Sequence, residues 1–337
     1  MVSIIVPVHN VAQYIHRCVH SLLAQTHSDI EIILVENCST DNSYHICTDL
    51  ASKHTNIVFS AIDVPCVSAA RNRGIDIARG QYLCFVDSDD FVAPEMVEIL
   101  LHACETTGAD IAQSSHLYTS SDTIDTAETP DIPNSLDITV LEGQAPHWSL
   151  AGAYGIVRAM PWGKLFKRKV FDQHRFPQGM IHEDEAIMHH LLLAGNKVAS
   201  VDAKTYFYYT RPGSIMNETF NTRRYDVLKA LQDRIDAYDK LGWDKLSFIT
   251  ALRLHFTIME YRLLTAQHLP HLDKEQHWLK AEYEKLLPSI LNSPYADDET
   301  KTKHQAWLNT PDRGQDPFAF RYVRRWLAER KWFYETN

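Results

Sequence analysis

Four stretches of this chain carry side chains able to do chemistry, and each follows or precedes an apolar run. The first is Asp87-Ser88-Asp89-Asp90, directly after QYLCFV. Side chains alternate along an extended chain, so Asp87 and Asp89 share a face. Where the strand ends and the chain turns, their carboxylates can converge on one point. Two such oxygen donors suit Mg²⁺ or Mn²⁺, with phosphate oxygens and water completing the shell. An ion held there would neutralise charge building on a departing diphosphate. The same residues also suit a solvated acidic turn at the start of the next helix, where Asp and Ser are common.

The second stretch is Val35-Glu36-Asn37-Cys38-Ser39-Thr40-Asp41. Its polar groups suit hydrogen bonds to a nucleotide base or ribose. They equally suit a plain strand-to-helix turn with Asp41 as cap. The third, Ser68 to Gly74 (SAARNRG), sets Arg71 and Arg73 among small residues that let a ligand approach closely. A guanidinium fits a diphosphate, and a basic helix face is the other reading. The fourth, Gly179 to Glu185 (GMIHEDE), groups acids before an apolar helix carrying Ala186, Ile187, His190 and Leu191. A carboxylate there can take the proton from an attacking hydroxyl. A zinc-protease HExxH is excluded, because Ala186 stands where the second His is required. His189 and His190 read as helix surface, not as a ligand pair.

These residues need elements to position them. Ser3 to Val8 (SIIVPV) is a continuous apolar, β-branched run and predicts a buried parallel strand. Asn10 then reads as a helix cap before apolar residues at helical spacing from Tyr14 to Leu23. Glu31 to Val35 predicts a second strand, followed by a helix capped by Asp41. Asn56 to Ile62 predicts a third strand, and Val67 to Arg79 a helix stopped by Gly80. Gln81 to Val86 predicts a fourth strand, Pro94 the first turn of the next helix, and Asp110 to Ser114 a fifth strand. This alternation predicts an α/β fold with a mostly parallel, doubly wound sheet. Ligands of such sheets bind beyond the carboxyl ends of the strands, where three of the four stretches fall. Residues 119–147, rich in Ser, Thr, Asp and Pro, read as a surface excursion. From about Thr222 the periodicity is helical, so the expected division is 1–216 for the α/β domain and 217–337 for a helical C-terminal domain.

The chain has 337 residues, 45% of them hydrophobic and 23% charged, which supports a packed core and argues against disorder. The net charge of -10 argues against nucleic acid as the main partner, since phosphate binding needs a basic footprint. The six cysteines all lie in the first third with no CxxC pair, so they read as reduced thiols packed as small hydrophobes. No signal peptide and no run of about 18 apolar residues is present, so the default location is the cytoplasm.

Taken in order, SIIVPVHN, the acidic Ser-Thr-Asp turn, SAARNRG, FVDSDD followed by Pro94, WGKLF, HEDE and a YxxRPGSI segment resemble the family 2 glycosyltransferases. That large inverting family has the nucleotide-sugar-binding GT-A fold. The resemblance runs from the start to about residue 216, and the order of the motifs is what makes it specific. It implies Asp87 and Asp89 as the metal acids for Mn²⁺ or Mg²⁺, with Asp89 the direct ligand. It implies Asp184 as catalytic base, oriented by Glu183. It implies that Pro7, His9, Asn10, Glu36, Asn37, Ser39, Arg71, Asp87 and Ser88 line the nucleotide and diphosphate site. Trp162 and Lys164 would lie near sugar and acceptor, and Tyr209, Arg211 and Ser214 would form a loop closing over the donor.

The chain departs from the family pattern at Glu36, Asn37 and Cys38, where two aspartates and a glycine are usual. The second of those aspartates commonly accepts a hydrogen bond from uracil N3–H. Asn37 accepts through its amide oxygen without charge, and also donates. A UDP-sugar remains the first choice of donor. The implied acceptor is a hydroxyl of a glycan or lipid-linked glycan in cell-surface polysaccharide or lipooligosaccharide assembly. A pyrophosphorylase would carry a Gly-rich amino-terminal loop that is missing here. The other classes weighed are a catalytically silent nucleotide-sugar-binding module and a nucleotidyltransferase. Finally, Phe318 to Trp332 mixes aromatic and basic residues, with Phe318, Tyr322, Val323, Trp326 and Leu327 on one helical face. It reads as a helix packed on protein or, on the sharper reading, a peripheral helix on an anionic membrane surface.

Overall fold

The structure is a computed structural model that describes residues 1–120, 136–151, 158–210 and 220–309. Arg211, Ser214 and the aromatic-basic run 318–332 lie outside the described residues. The chain divides into two compact units. The first comprises Met1–Pro146, Ala159–Gly179 and Ile187–Asn217, and the second His147–Arg158, Met180–Ala186 and Glu218–Asn337.

The first unit is built on one mixed sheet. Its elements begin β1 (Val2–Val8), α1 (Ile15–Leu23), β2 (Ile30–Asn37), α2 (Ser43–Lys53), β3 (Ile57–Ile62), α3 (Val67–Ile77) and β4 (Tyr82–Phe85). They continue with β5 (Phe91–Val92), α4 (Met96–Thr107), β6 (Ile111–Thr119) and β7 (Ile138–Glu142). After α5 (Ala145–Ala151) come β8 (Lys164–Lys167), α6 (Glu183–Gly195) and β9 (Lys197–Tyr209). Strand order is β3-β2-β1-β4-β8-β6-β9-β5, with β7 also on β9. The amino-terminal four strands are all parallel, as their uninterrupted apolar runs demand. β8 is inserted antiparallel between β4 and β6. β6 and β9 run parallel, with register shifts on either side of Ser115.

Every residue of β1 is buried, because both faces of the sheet are covered. Val2, Ile4, Val6 and Val8 join one core with Ile15, Val19 and Leu22 of α1 and Val97 and Leu100 of α4. Ile5 points the other way, against α3 at Gly74, where any Cβ would collide with its Cγ2. That is the doubly wound arrangement, helices on both faces. Burial of a Val or Ile side chain contributes about 1.5–3 kcal/mol, so the alternating faces of β1 anchor both layers.

Several local expectations are corrected. Asn10 does not cap α1. It sits at φ 52, in the left-handed region that Asn tolerates, and α1 starts five residues later. Asp41 stands one residue before the helix boundary at Asn42, and its carboxylate accepts from the Ser43 and Ala12 amides at 2.9 Å each. α3 ends at Ile77, not at Gly80. Gly80 serves close approach instead: a Cβ would lie 2.7 Å from the Ser3 amide nitrogen. The helix near Pro94 begins two residues after it. The 119–147 stretch is not wholly an excursion, since β7 pairs antiparallel with β9. His189 is fully buried and not on the surface. All six cysteines are free thiols, four of them buried.

The second unit is helical. α7 (Asp226–Lys240), α8 (Asp244–His268), α9 (Asp273–Leu291) and α10 (Asp298–Asn309) follow a short 3₁₀ turn. Leu231, Tyr238, Leu246, Leu252, Leu279 and Leu287 are among the side chains of their common core. Two segments from earlier in the chain, 147–158 and 180–186, group with these helices. Among the described residues, no helix is long and apolar enough to cross a membrane.

Candidate functional site

The carboxyl ends of β1, β2, β3 and β4 line one edge of the sheet, and the polar stretches begin there. β4 ends at Phe85; the Val86 amide still bonds the Ile5 carbonyl of β1 at 3.1 Å, and the Asp90 amide bonds back to the Asp87 carbonyl at 3.0 Å to close a turn. Asp87 and Asp89 are half-buried there, and Ser88 is buried. The Arg71 guanidinium, itself buried on α3, pairs with Asp87 Oδ1 at 3.0 Å and lies over the Phe176 ring. So the structure brings together Arg71, Asp87, Ser88 and Asp89, four of the expected site residues.

Asp90 is the residue of this run to which the sequence assigned no role. It is buried, and its carboxylate accepts from the Tyr206 hydroxyl at 2.6 Å and the Tyr209 amide at 2.7 Å. The Tyr206 hydroxyl in turn accepts from the Asp87 amide at 3.1 Å. Burial raises the Asp90 pKa well above the ordinary carboxylate value, and Asp87 and Asp89 push it further. Tyr208 is pushed up to about 12 by burial and then by Asp90, Asp89 and Asp87. The turn is therefore a concentration of negative potential. Arg17 of α1, also missed, donates to the Asp89 carbonyl at 2.7 Å and lies over the Tyr209 ring at 4.2 Å. Its place beside the apolar stripe of α1 was the available signal.

Trp162 stacks on Tyr206 with centroids 4.6 Å apart and 15° between planes, which ties it to the aspartate turn. Lys164 is buried and donates to the Met160 carbonyl at 2.6 Å.

A second cluster joins the ends of β1 and β2. Pro7 pairs in register with Val35. His9 Nδ1 lies 2.5 Å from the Asn37 carbonyl oxygen, and Asn10 takes the Thr40 amide at 2.8 Å and gives its own amide to Ser39 Oγ. Glu36 and Asn37 belong to the strand itself, not to the turn after it, and both are buried. Glu36 accepts from the Ser39 amide, and Asn37 Oδ1 from the Cys66 amide at 3.0 Å. Cys38 adopts φ 55, the backbone region that favours the glycine usual at this position.

Glu183 and Asp184 open α6 and belong to the second unit, half-buried. Asp184 Oδ1 accepts the Glu185 amide at 2.8 Å. The Glu185 carboxyl is held down to about 2: burial opposes this, and the Arg253 and Arg234 guanidinium groups overcome it.

Residues 3–175 match the family described as Glycosyl transferase family 2. The chain is similar to Glycosyltransferase GlyG of Streptococcus pneumoniae, 30% identical over 276 residues, 79% of this chain and 91% of that one. It is similar to the glycosyltransferase EpsJ of Bacillus subtilis, 32% identical over 248 residues, 72% of this chain and 71% of that one. Residues 1–349 of S. aureus TarS, solved with UDP-GlcNAc, share the fold with a TM-score of 0.61 at 16% identity, covering 93% of this chain and 92% of that one. The sheet order that sets an acidic turn beyond β4 is thus the GT-A arrangement, and the chain belongs to glycosyl transferase family 2.

Proposed function

We propose that this glycosyltransferase moves a sugar from a UDP-sugar, with inversion, onto a hydroxyl of a glycan or lipid-linked acceptor in cell-surface polysaccharide assembly. The observation that carries the reading is the acidic turn after β4 with a buried arginine against it. A diphosphate needs positive charge, and Arg71 supplies it beside carboxylates that suit a hard cation. The donor set fits Mn²⁺ or Mg²⁺: hard oxygens, partly exposed, beside a buried arginine that can meet the phosphates such an ion would hold. Asp87 and Asp89 would hold the ion, which when bound supplies charge neutralisation for the departing diphosphate.

The chain's own residues do the rest. Arg71 binds the diphosphate. Residues 7–10 and 36–39 frame the base and ribose. Asp184, aided by Glu183, takes the acceptor proton as that oxygen attacks the anomeric carbon from the opposite face. We assign donor binding to residues 1–216 and the helical domain to 217–337. The UDP preference draws support from the UDP-GlcNAc bound by TarS.

Thermal unfolding of the full chain with UDP-N-acetylglucosamine, UDP-glucose, GDP-mannose and a CDP-sugar, each with and without Mn²⁺, tests the reading. A UDP-sugar must raise Tm, more so with Mn²⁺, and then release UDP when acceptor glycans are added. A rise with the GDP- or CDP-sugar alone would overturn the UDP assignment.

A further inference from the structure

Glu185 follows Asp184 in the first turn of α6, and two guanidinium groups hold its carboxylate. Arg234 of α7 reaches one oxygen at 2.7 Å, and Arg253 of α8 reaches the other at 2.6 Å. Both arginines are tied down further. Arg234 also donates to the Glu185 carbonyl at 2.8 Å and the Leu150 carbonyl at 2.9 Å. Arg253 donates to the same Leu150 carbonyl at 2.6 Å. Arg234 is fully buried, so its charge depends on these partners and not on water.

Asp184 is joined to this cradle by a hydrogen bond. The Glu185 amide donates to Asp184 Oδ1, and the Glu185 carbonyl and carboxylate are the groups that the arginines grip. Hydrogen bonds on either side of Glu185, joined through its own backbone, thus link the two helices to one oxygen of Asp184. The charges also match: two guanidinium groups answer two carboxylates, and the Arg253 charge, opposed by burial, is favoured by Glu185 and then by Asp184. Further charged groups at the segment include Glu183 on the same turn, His182 before it, and Arg224 and Asp226, the last accepting the Ile181 amide.

We propose that Glu185, Arg234 and Arg253 are positioning residues for sugar transfer, an inference that rests on Asp184 as the base. They fix the first turn of α6, and with it the Asp184 carboxylate whose Oδ1 the Glu185 amide holds. None of the three touches substrate in this scheme. They act through Asp184, whose placement within a fraction of an ångström governs the rate.

The test uses the full chain, with Glu185→Gln, Arg253→Met, Arg253→Lys and Asp184→Asn. UDP release from UDP-N-acetylglucosamine is followed across pH, and hydrogen exchange of peptide 180–190 is measured without ligand. Glu185→Gln leaves an added positive charge beside the base, so the acid limb of the rate profile moves to lower pH by about half a unit or more. Arg253→Met removes one, so the limb moves to higher pH. Arg253→Lys restores it. In the first two, kcat falls roughly tenfold while the donor KM holds, and exchange in 180–190 quickens about tenfold. Should Glu185→Gln fail to fold, Arg253→Met carries the test, since it leaves Glu185 paired with Arg234. A purely structural role would lower Tm without opposed shifts of the limb, and that result overturns the proposal. Unchanged exchange overturns it too. Full turnover in Asp184→Asn sinks the base assignment instead, and quickened exchange in Glu185→Gln would then show the cradle standing without it.

Discussion

The turn at Asp87–Asp90 and the first turn of α6 look alike as letters, each a run of three acids and one other residue. Folding treats them in opposite ways. At the first, Arg71 pairs with Asp87, and burial followed by the Asp87 and Asp89 charges pushes Asp90 up. At the second, Glu185 meets two arginines and is held down to about 2. The first site sets three carboxyl groups close enough for two to raise the third, an arrangement that suits a hard cation. The second is neutralised from within and so holds its geometry without a ligand. An acidic cluster is therefore read through its partners: carboxyl groups crowded on one another suit a cation, whereas one gripped by two arginines is an anchor.

That contrast can be broken by experiment. The largest expected effect is on turnover: Asp184→Asn should lower it by roughly 10²–10⁴-fold with donor binding intact. Rates and donor affinity measured side by side check this, and equal rates would remove Asp184 from its role. Next, Asp89→Ala should abolish stimulation by Mn²⁺ or Mg²⁺, read as turnover against metal concentration, whereas Glu185→Gln should leave the metal half-saturation unchanged. A shift in both variants would erase the distinction between the two turns.

Arg234→Met should destabilise the chain by about 3–5 kcal/mol, because it strips one partner from a buried pair. Urea unfolding measures it. The smallest effect is on acid stability. The folded Glu185 pKa, about 2, lies below its ordinary 4.5. Its contribution is therefore fully present above pH 4.5 and lost as pH falls through 2. The shift corresponds to on the order of 3 kcal/mol. Glu185→Gln should flatten the loss of stability between those limits, and an unchanged slope would show that the pairing is weaker than drawn.

Much of the first unit was legible. The runs SIIVPV, EIILV and QYLCFV became parallel strands because continuous burial leaves its mark residue by residue. The places of Asp87 and Asp89 followed from the end of β4, and that of Arg71 from the helix after β3. What remained hidden depends on partners distant in the chain. Asp90 is defined by Tyr206 and Tyr209, more than a hundred residues away, and no local pattern predicts that pairing. The antiparallel insertion of β8 is likewise a matter of sheet order, which periodicity does not encode. Arg234 left a trace that could have been read. It falls within the buried stripe Val227, Leu228, Leu231, Ile235 and Tyr238 of α7, and a charge in an apolar stripe needs an opposite charge to meet it. The left-handed backbone at Cys38 was invisible because a side chain other than glycine occupies it.

The Tyr206 hydroxyl has one hydrogen to give and spends it on Asp90, while its lone pair receives the Asp87 amide. Which side of β9 this ring emerges from is decided just before it, where Ser114, Ser115 and His116 pair with Val201, Lys204 and Tyr206 out of step. Were the strand paired evenly through that point, alternation would turn the ring to the opposite face and both bonds would vanish together. A backbone irregularity thus acts as the rotary setting of the acidic turn: residues 202–205 dial where the aspartates are held.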